Sequence, residues 1–298
     1  MIANAQRDRP STNEIERLLP VLVHIQANLD QDLSLEALAK RVRLSPFHFH
    51  RLFRLAVGET LKQYTQRLRL ESAANRLVLH DATILDVALD SGFHSPETFS
   101  REFKRRFQVT PSGYRQWGRG KIKLGSITVP PLDELFDEFE LSQTKITRMA
   151  ELNLAFIRHV GPYEAVTDTL WHKLADWAKS QRLPPDLVFL GIAHDAPGVT
   201  APERLRFDAA IVVPKPFLSA GVVGHQVIGP AEFAMTTHVG HYRTLPKAYE
   251  AIVQQVARLK GFRFGGLPAI EVYRTTRVDA KHEMNHTEIY LPVSRTRK

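Results

Sequence analysis

The nine residues from Ser45 to Phe53, S-P-F-H-F-H-R-L-F, return fifty positions later as S-P-E-T-F-S-R-E-F from Ser95 to Phe103. Ser, Pro, Phe, Arg and Phe hold the same five places, and a basic residue, Arg54 or Lys104, closes each copy. Each copy reads as a helix start. Ser45 and Ser95 are placed to cap the first free N–H groups, and Pro46 and Pro96 occupy the first helical position, where a missing N–H costs nothing. Phe49 and Phe53 lie four apart, as do Phe99 and Phe103, so each helix has an aromatic ridge to bury. Arg51 and Arg101 fall off that ridge and are left for a partner. Two copies of one helical unit in a basic chain point to a device that reads DNA twice.

The preceding residues complete the unit. Leu35, Leu38 and Ala39 form one short helix opened by Ser34, and Ile84, Val87 and Ala88 its counterpart opened by Thr83, each with an acidic residue in its first turn. The second connecting turn is one residue longer than the first and carries Gly92. Helix, short turn and capped second helix is the helix-turn-helix arrangement, whose second helix enters the major groove. The stretch 62–80, rich in Leu, Arg and Ala, is the long helix expected between the two units, about 33–55 and 83–107.

Residues 33–116 resemble the DNA-binding domain of the AraC/XylS regulators. The resemblance rests on S-L-E-A-L-A (34–39), the Arg51–Phe53 pair, Gly58, Tyr64, Arg69-Leu70, A-L-D-S-G-F (88–93), F-S-R-E-F-K (99–104) and T-P-S-G-Y-R (110–115). It implies that paired recognition helices enter two successive major-groove segments. By position, Phe47, His50 and Arg51 are then the base-reading candidates of the first helix, followed by Arg54, and Glu97, Thr98 and Arg101 those of the second. Arginine takes guanine N7 and O6 together, and glutamate accepts from the cytosine amino group. Relatives usually carry an uncharged amide at position 97, so Glu97 departs from the family and leaves the second half-site's preference open. Lys104 and Arg105, with Arg106, are phosphate candidates; in isolation such a run reads as a solvated face, and Phe47 as a core residue.

Charge alone does not locate the reader. The formal charge is +8, yet residues 1–120 hold 18 basic against 13 acidic residues and residues 146–298 hold 19 against 14. There are no cysteines, which removes disulfides, zinc-thiolate sites and thiol redox sensing. No apolar run approaches the ~18 residues of a membrane span, and the polar start of the chain does not read as a signal peptide, so a cytoplasmic protein is expected. Residues 1–10 read as disordered, 11–116 as the reader, 117–144 as a linker and 145–298 as a second domain.

That second half repeats internally. A-F-I-R-H-V-G-P-Y (155–163) matches A-M-T-T-H-V-G-H-Y (234–242), each followed by a helical pattern, 165–180 and 245–260. A-A-I-V-V-P (209–214) then matches T-E-I-Y-L-P (287–292). Strand, helix and strands twice over is an α+β duplication with two helices on one antiparallel sheet. The H-V-G-P-Y and T-E-I-Y-L-P motifs are similar to those of the GyrI-like effector domain over about 146–294. This implies a small-molecule cleft between the repeats, often for cationic or aromatic compounds. Glu288 is the carboxylate expected to face it, with Tyr290 on the same side of the strand; the alternative for Glu288 is a salt bridge to Arg274 or Arg277. Tyr163 and Trp171 are the expected aromatic walls. His282 and His286 do not read as a metal site, and no cofactor is expected.

The expected fold is multidomain: an all-α, homeodomain-like double helix-turn-helix domain followed by an α+β GyrI-like domain. The expected function is that of a one-component transcriptional regulator, not an enzyme, with DNA, a small effector and RNA polymerase as partners. The alternatives are a hydrolase in the second half, with Glu288 as base, and an effector-independent architectural DNA binder.

Overall fold

The computed structural model describes residues 17–79, 82–124, 139–217, 219, 221–274 and 285–295. The expected disordered start and half of the expected linker, 125–138, lie outside them, as do Arg277 and His282.

The helical half contains α1 (Leu19–Ala27), α2 (Leu35–Arg41), α3 (Pro46–Val57), α4 (Leu61–Leu79), α5 (Ile84–Asp90), α6 (Pro96–Phe107) and α7 (Pro111–Leu124). The caps are those the sequence implies. Ser34, Ser45, Thr83 and Ser95 accept from the backbone N–H of Ala37, His48, Asp86 and Thr98. Asp86 reaches back to the Thr83 N–H and completes a capping box. The two aromatic ridges form two cores. Phe49 and Phe53 pack with Tyr64 and Leu68 of α4, while Phe99 and Phe103 pack with Ala73, Ala74 and Leu77 farther along the same helix. One helix thus serves both units, and its Arg69 holds the connection between α1 and α2 by donating to the carbonyls of Leu29 (2.8 Å) and Gln31 (2.9 Å). Gly92, at φ +77°, lies against that contact; a Cβ there would fall 2.4 Å from the Leu29 oxygen, so the turn tolerates nothing larger.

The second half is one antiparallel sheet. Its strands are β1 (Phe139–Leu141), β2 (Lys145–Met149), β3 (Leu152–Val160), β4 (Phe189–Ala193), β5 (Arg206–Val212), β6 (Gly224–Ile228), β7 (Ala231–Gly240), β8 (Phe262–Phe264), β9 (Ala269–Tyr273) and β10 (Asn285–Arg295). The order is β1-β7-β10-β9-β4-β5-β3-β6, with β2 on β7 and β8 on β10. The repeats meet at β4 and β9, where Gly191 pairs with Glu271. Helices α8 (Asp168–Ser180) and α9 (Leu245–Ala257) cover one face, burying Trp171 and Leu174 over the first repeat and Ile252 and Val256 over the second.

The opposite face is covered by the helical half. Leu18, just before α1, and Val21 and Ile25 of α1 belong to the first reader core, while Leu19 and Val23 pack on Leu154 and Phe156 of the sheet. Gly224 permits this approach, since a Cβ there would lie 2.7 Å from Leu19 Cδ2.

Candidate functional site

On the DNA-reading side, helices α3 and α6 bury Phe49, Phe53, Phe99 and Phe103 completely and expose the candidates. Phe47 is 81% exposed, which removes it from the core. Arg51, Arg54, Glu97, Thr98, Arg101, Lys104 and Arg105 are exposed and His50 half-buried. The two helices differ in how their cations are held. In α6, Glu102 forms ion pairs with Arg101 (3.8 Å) and Arg105 and accepts from Gln66 of α4. Arg106 instead reaches Glu71 of α4 at 3.6 Å. Leu52 stands where α6 has Glu102, so α3 has no such carboxylate beside Arg51.

In the sheet, the strand register decides which residues share a face. One row of paired residues runs Thr236, Ile289, Glu271, Gly191, Ala209, Ile157, and it faces α8 and α9. The next runs Thr237, Glu288, Val272, Leu190, Ala210, Phe156 and faces the helical half. The expectation that Glu288 faces the same enclosure as Trp171 and Tyr163 is therefore corrected: Glu288 and Tyr290 stand on the other side of the sheet. There Glu288 accepts from Arg274 Nη2 at 2.9 Å and from the Tyr290 hydroxyl at 2.7 Å. Burial pushes its carboxyl up, but these bonds outweigh burial and hold it below its ordinary range. Tyr290, partly buried and against that carboxylate, is pushed up to about 12. This is the salt-bridge alternative.

The carboxylate on the helix-covered face is Glu271, 6% exposed. It accepts from the Tyr249 hydroxyl of α9 at 3.0 Å and from the Tyr273 hydroxyl at 2.5 Å. Burial, and next the Glu271 charge, push the Tyr249 phenol well above its usual value, so it stays a donor. Around this group the edge of Trp171 meets Tyr273 with ring centres 5.2 Å apart, and Tyr242 meets Tyr273 at 5.6 Å. Gly191 makes room, because a Cβ there would lie 2.4 Å from the Tyr273 oxygen and 2.6 Å from Phe207 Cζ. Across the junction of the repeats, then, one repeat supplies a carboxylate and the other the space beside it.

The H-V-G-x-Y motifs contribute Tyr163 and Tyr242 to the same packed cluster. Tyr163 and Tyr242 open short 3-10 turns directly after β3 and β7. The Tyr163 ring packs on Phe207, while its hydroxyl donates to the Asp195 carbonyl (2.7 Å). The motif histidines diverge. His159 is half-buried at the strand end, whereas His238 is fully buried and pushed down to about 4 by burial. The Thr244 hydroxyl donates to the His241 carbonyl, so His238 Nε2–H donates to Thr244 (2.7 Å) as a neutral imidazole.

Among the described residues no group of three or more His, Cys, Asp or Glu is placed to hold a metal, and no helix is long and apolar enough to cross a membrane. A cavity of about 280 Å3 lies at the junction of the two halves, away from Glu271. It is bordered by Arg76, which is paired with Asp90, and by Arg263, which donates to Ser294.

Comparison with known proteins gives two domain matches. The GyrI-like small molecule binding domain matches residues 142–294, and a helix-turn-helix domain matches residues 38–116. Transcriptional regulator Rob of Salmonella typhimurium is 37% identical over 117 residues, 37% of this chain and 40% of Rob. The Transposon Tn10 TetD protein of Escherichia coli is 44% identical over 96 residues, 32% of this chain and 70% of TetD. Regulatory protein SoxS of Salmonella typhimurium is 37% identical over 101 residues, 34% of this chain and 94% of SoxS.

Proposed function

Because this chain belongs to the GyrI-like small molecule binding family and carries an AraC-type helix-turn-helix domain ahead of that half, we propose that it is a one-component transcriptional regulator that works in the cytoplasm. Helices α3 and α6 insert into successive major-groove segments, and the enclosure at Glu271 takes an aromatic monocation. The observation that carries the reading is the pair of equivalent recognition helices, each burying two phenylalanines four apart and exposing an arginine at the same place. In this reading Arg51 and Arg101 are base contacts, Phe47 meets a thymine methyl, and Arg54 and Lys104 meet phosphates. Arg105, already paired with Glu102, contributes less. RNA polymerase is the partner through which bound protein would change transcription.

For the effector, a buried carboxylate favours a cation in its low-dielectric surroundings, and the rings of Trp171, Tyr242 and Tyr273 offer faces to one. Tyr163 and Trp171 keep the wall roles expected of them, while Glu271 takes the place expected of Glu288. The rings are in mutual contact, so ligand entry requires them to move apart.

Replacing Arg51 or Arg101 by Ala is expected to cost ~1–3 kcal/mol in binding to a duplex that the chain itself selects from a random pool. Each loss should vanish on duplexes altered in the matching half-site, because the base contact is then already gone. Equal weakening on every sequence would make both arginines phosphate contacts.

A further inference from the structure

The enclosure and the DNA reader lie on opposite faces of the sheet, yet one polar path joins them. It begins at Tyr163, whose ring is on the enclosure side and whose hydroxyl donates to the Asp195 carbonyl and accepts from the Asp195 N–H at 3.2 Å. The Asp195 carboxylate holds Arg206 through three bonds: Nε (2.8 Å) and the backbone N–H (2.8 Å) to Oδ2, and Nη2 (2.5 Å) to Oδ1. Arg206 opens β5 and is buried toward the helical half.

Two residues earlier, Arg204 forms an ion pair with Glu59 at the start of the reader's central helix. Glu59 is also bound by Arg67 Nε at 3.1 Å, and Arg67 Nη1 binds Glu71 at 3.1 Å. Glu71 pairs with Arg106 in the last turn of the second recognition helix. It is 3% exposed, and its Oε1 makes no hydrogen bond, as is true of Nη1 of Arg206. Burial raises its carboxyl, with Arg67 opposing.

From Arg204 onward the charges alternate, and this line, joined to Arg206 through the backbone, is buried in part. Moving one member leaves its neighbour under-compensated in a low dielectric, so the members tend to move together. No equivalent line reaches α3 among the described ion pairs.

We propose that the segment Arg204–Arg206 is the transmission contact of this protein, carrying displacement of Tyr163 through Glu59, Arg67 and Glu71 to Arg106 and hence to the second recognition helix alone. The two states are Tyr163 bonded to Asp195 and Tyr163 displaced by an occupant of the enclosure. A ligand that fits only one of them biases the other end of the line. This rests on the reading of the Glu271 enclosure as an effector site.

Hydrogen–deuterium exchange on the full chain tests the line without a ligand. Tyr163→Phe removes only the hydroxyl, and Glu59→Gln removes the link in the middle. Each should raise exchange in peptides covering 99–107 by about fivefold, the low end of ordinary coupling between sites. The double variant should match Glu59→Gln, and peptides covering 49–57 should not change. Arg204→Gln, on a half-exposed side chain outside both cores, should reproduce the effect and guards against a packing defect from Tyr163→Phe. Changes confined to 161–166 and 194–206, additive effects in the double variant, or equal effects on both recognition helices would overturn the proposal. If phenyltrimethylammonium fails to bind in calorimetry, the effector reading falls while the exchange result stands by itself.

Discussion

Replacing Asp208 by Ala is expected to destabilise the fold by about 3–5 kcal/mol, the usual cost of removing one partner from a buried charge pair. Asp208 is 0% exposed and accepts from Arg158 Nε (2.6 Å) and Nη2 (2.7 Å), from His194 Nε2 (2.6 Å) and from Gln226 (2.9 Å). Without it, Arg158 is a buried cation with no carboxylate, and its bond to Gln26 of α1, which in turn donates to Tyr64, is lost with its orientation. Burial raises the Asp208 carboxyl, but Arg158 and His194 overcome this and leave it far below the usual carboxylate range. A depressed carboxyl contributes stability that is full above its unfolded value near ~4 and is lost as pH falls through the folded value. The contribution therefore persists at pH 5 and fades only in strong acid. Urea unfolding of wild type, Asp208→Ala and Asp208→Asn at pH 7, pH 5 and pH 2 reads both effects. A loss under about 1 kcal/mol for the alanine variant would mean that the network is not structural.

The second large effect is at the enclosure. Glu271→Gln keeps the shape and removes the charge, so phenyltrimethylammonium should bind ~10–100-fold more weakly, as expected for loss of a desolvated charge interaction. Its neutral isostere tert-butylbenzene should change by less than about threefold, since the rings of Trp171, Tyr242 and Tyr273 are untouched. Glu288→Gln should leave both ligands unchanged, because Glu288 is engaged with Arg274 on the opposite face. Calorimetry on the three proteins decides the matter. Dependence on Glu288 rather than Glu271 would contradict the placement of the site.

The reader was legible because its signals are local. Ser45-Pro46 and Ser95-Pro96 cap helices that are seen to begin there, and phenylalanines four apart are the ones found at 0% exposure. The α+β duplication was legible from its strand motifs. The site carboxylate was not, and the reason is the period of a strand. Which face Glu271 and Glu288 take is fixed only by the long-range pairing of β10 with β9 and of β9 with β4, where Ile289 and Gly191 flank Glu271 and Glu288 falls in the next row. Because side chains alternate, an error of one residue moves a carboxylate from one face to the other. A-I-E-V-Y and T-E-I-Y-L-P carry equivalent signals until the register is known. Asp208 gave no local sign either, since its partners Arg158 and Gln226 lie 50 and 18 residues away.

As proposed, one chain couples a cation at Glu271 to two-site DNA reading. The most direct test of this coupling is fluorescence anisotropy of the chain's selected duplex, titrated with wild type and Glu271→Gln, each with and without saturating phenyltrimethylammonium. The DNA Kd of wild type is expected to shift at least about fivefold and that of Glu271→Gln not at all, since a ligand shifts an equilibrium only by its differential affinity for the two states. Superimposable wild-type curves with the ligand demonstrably bound would contradict the coupling.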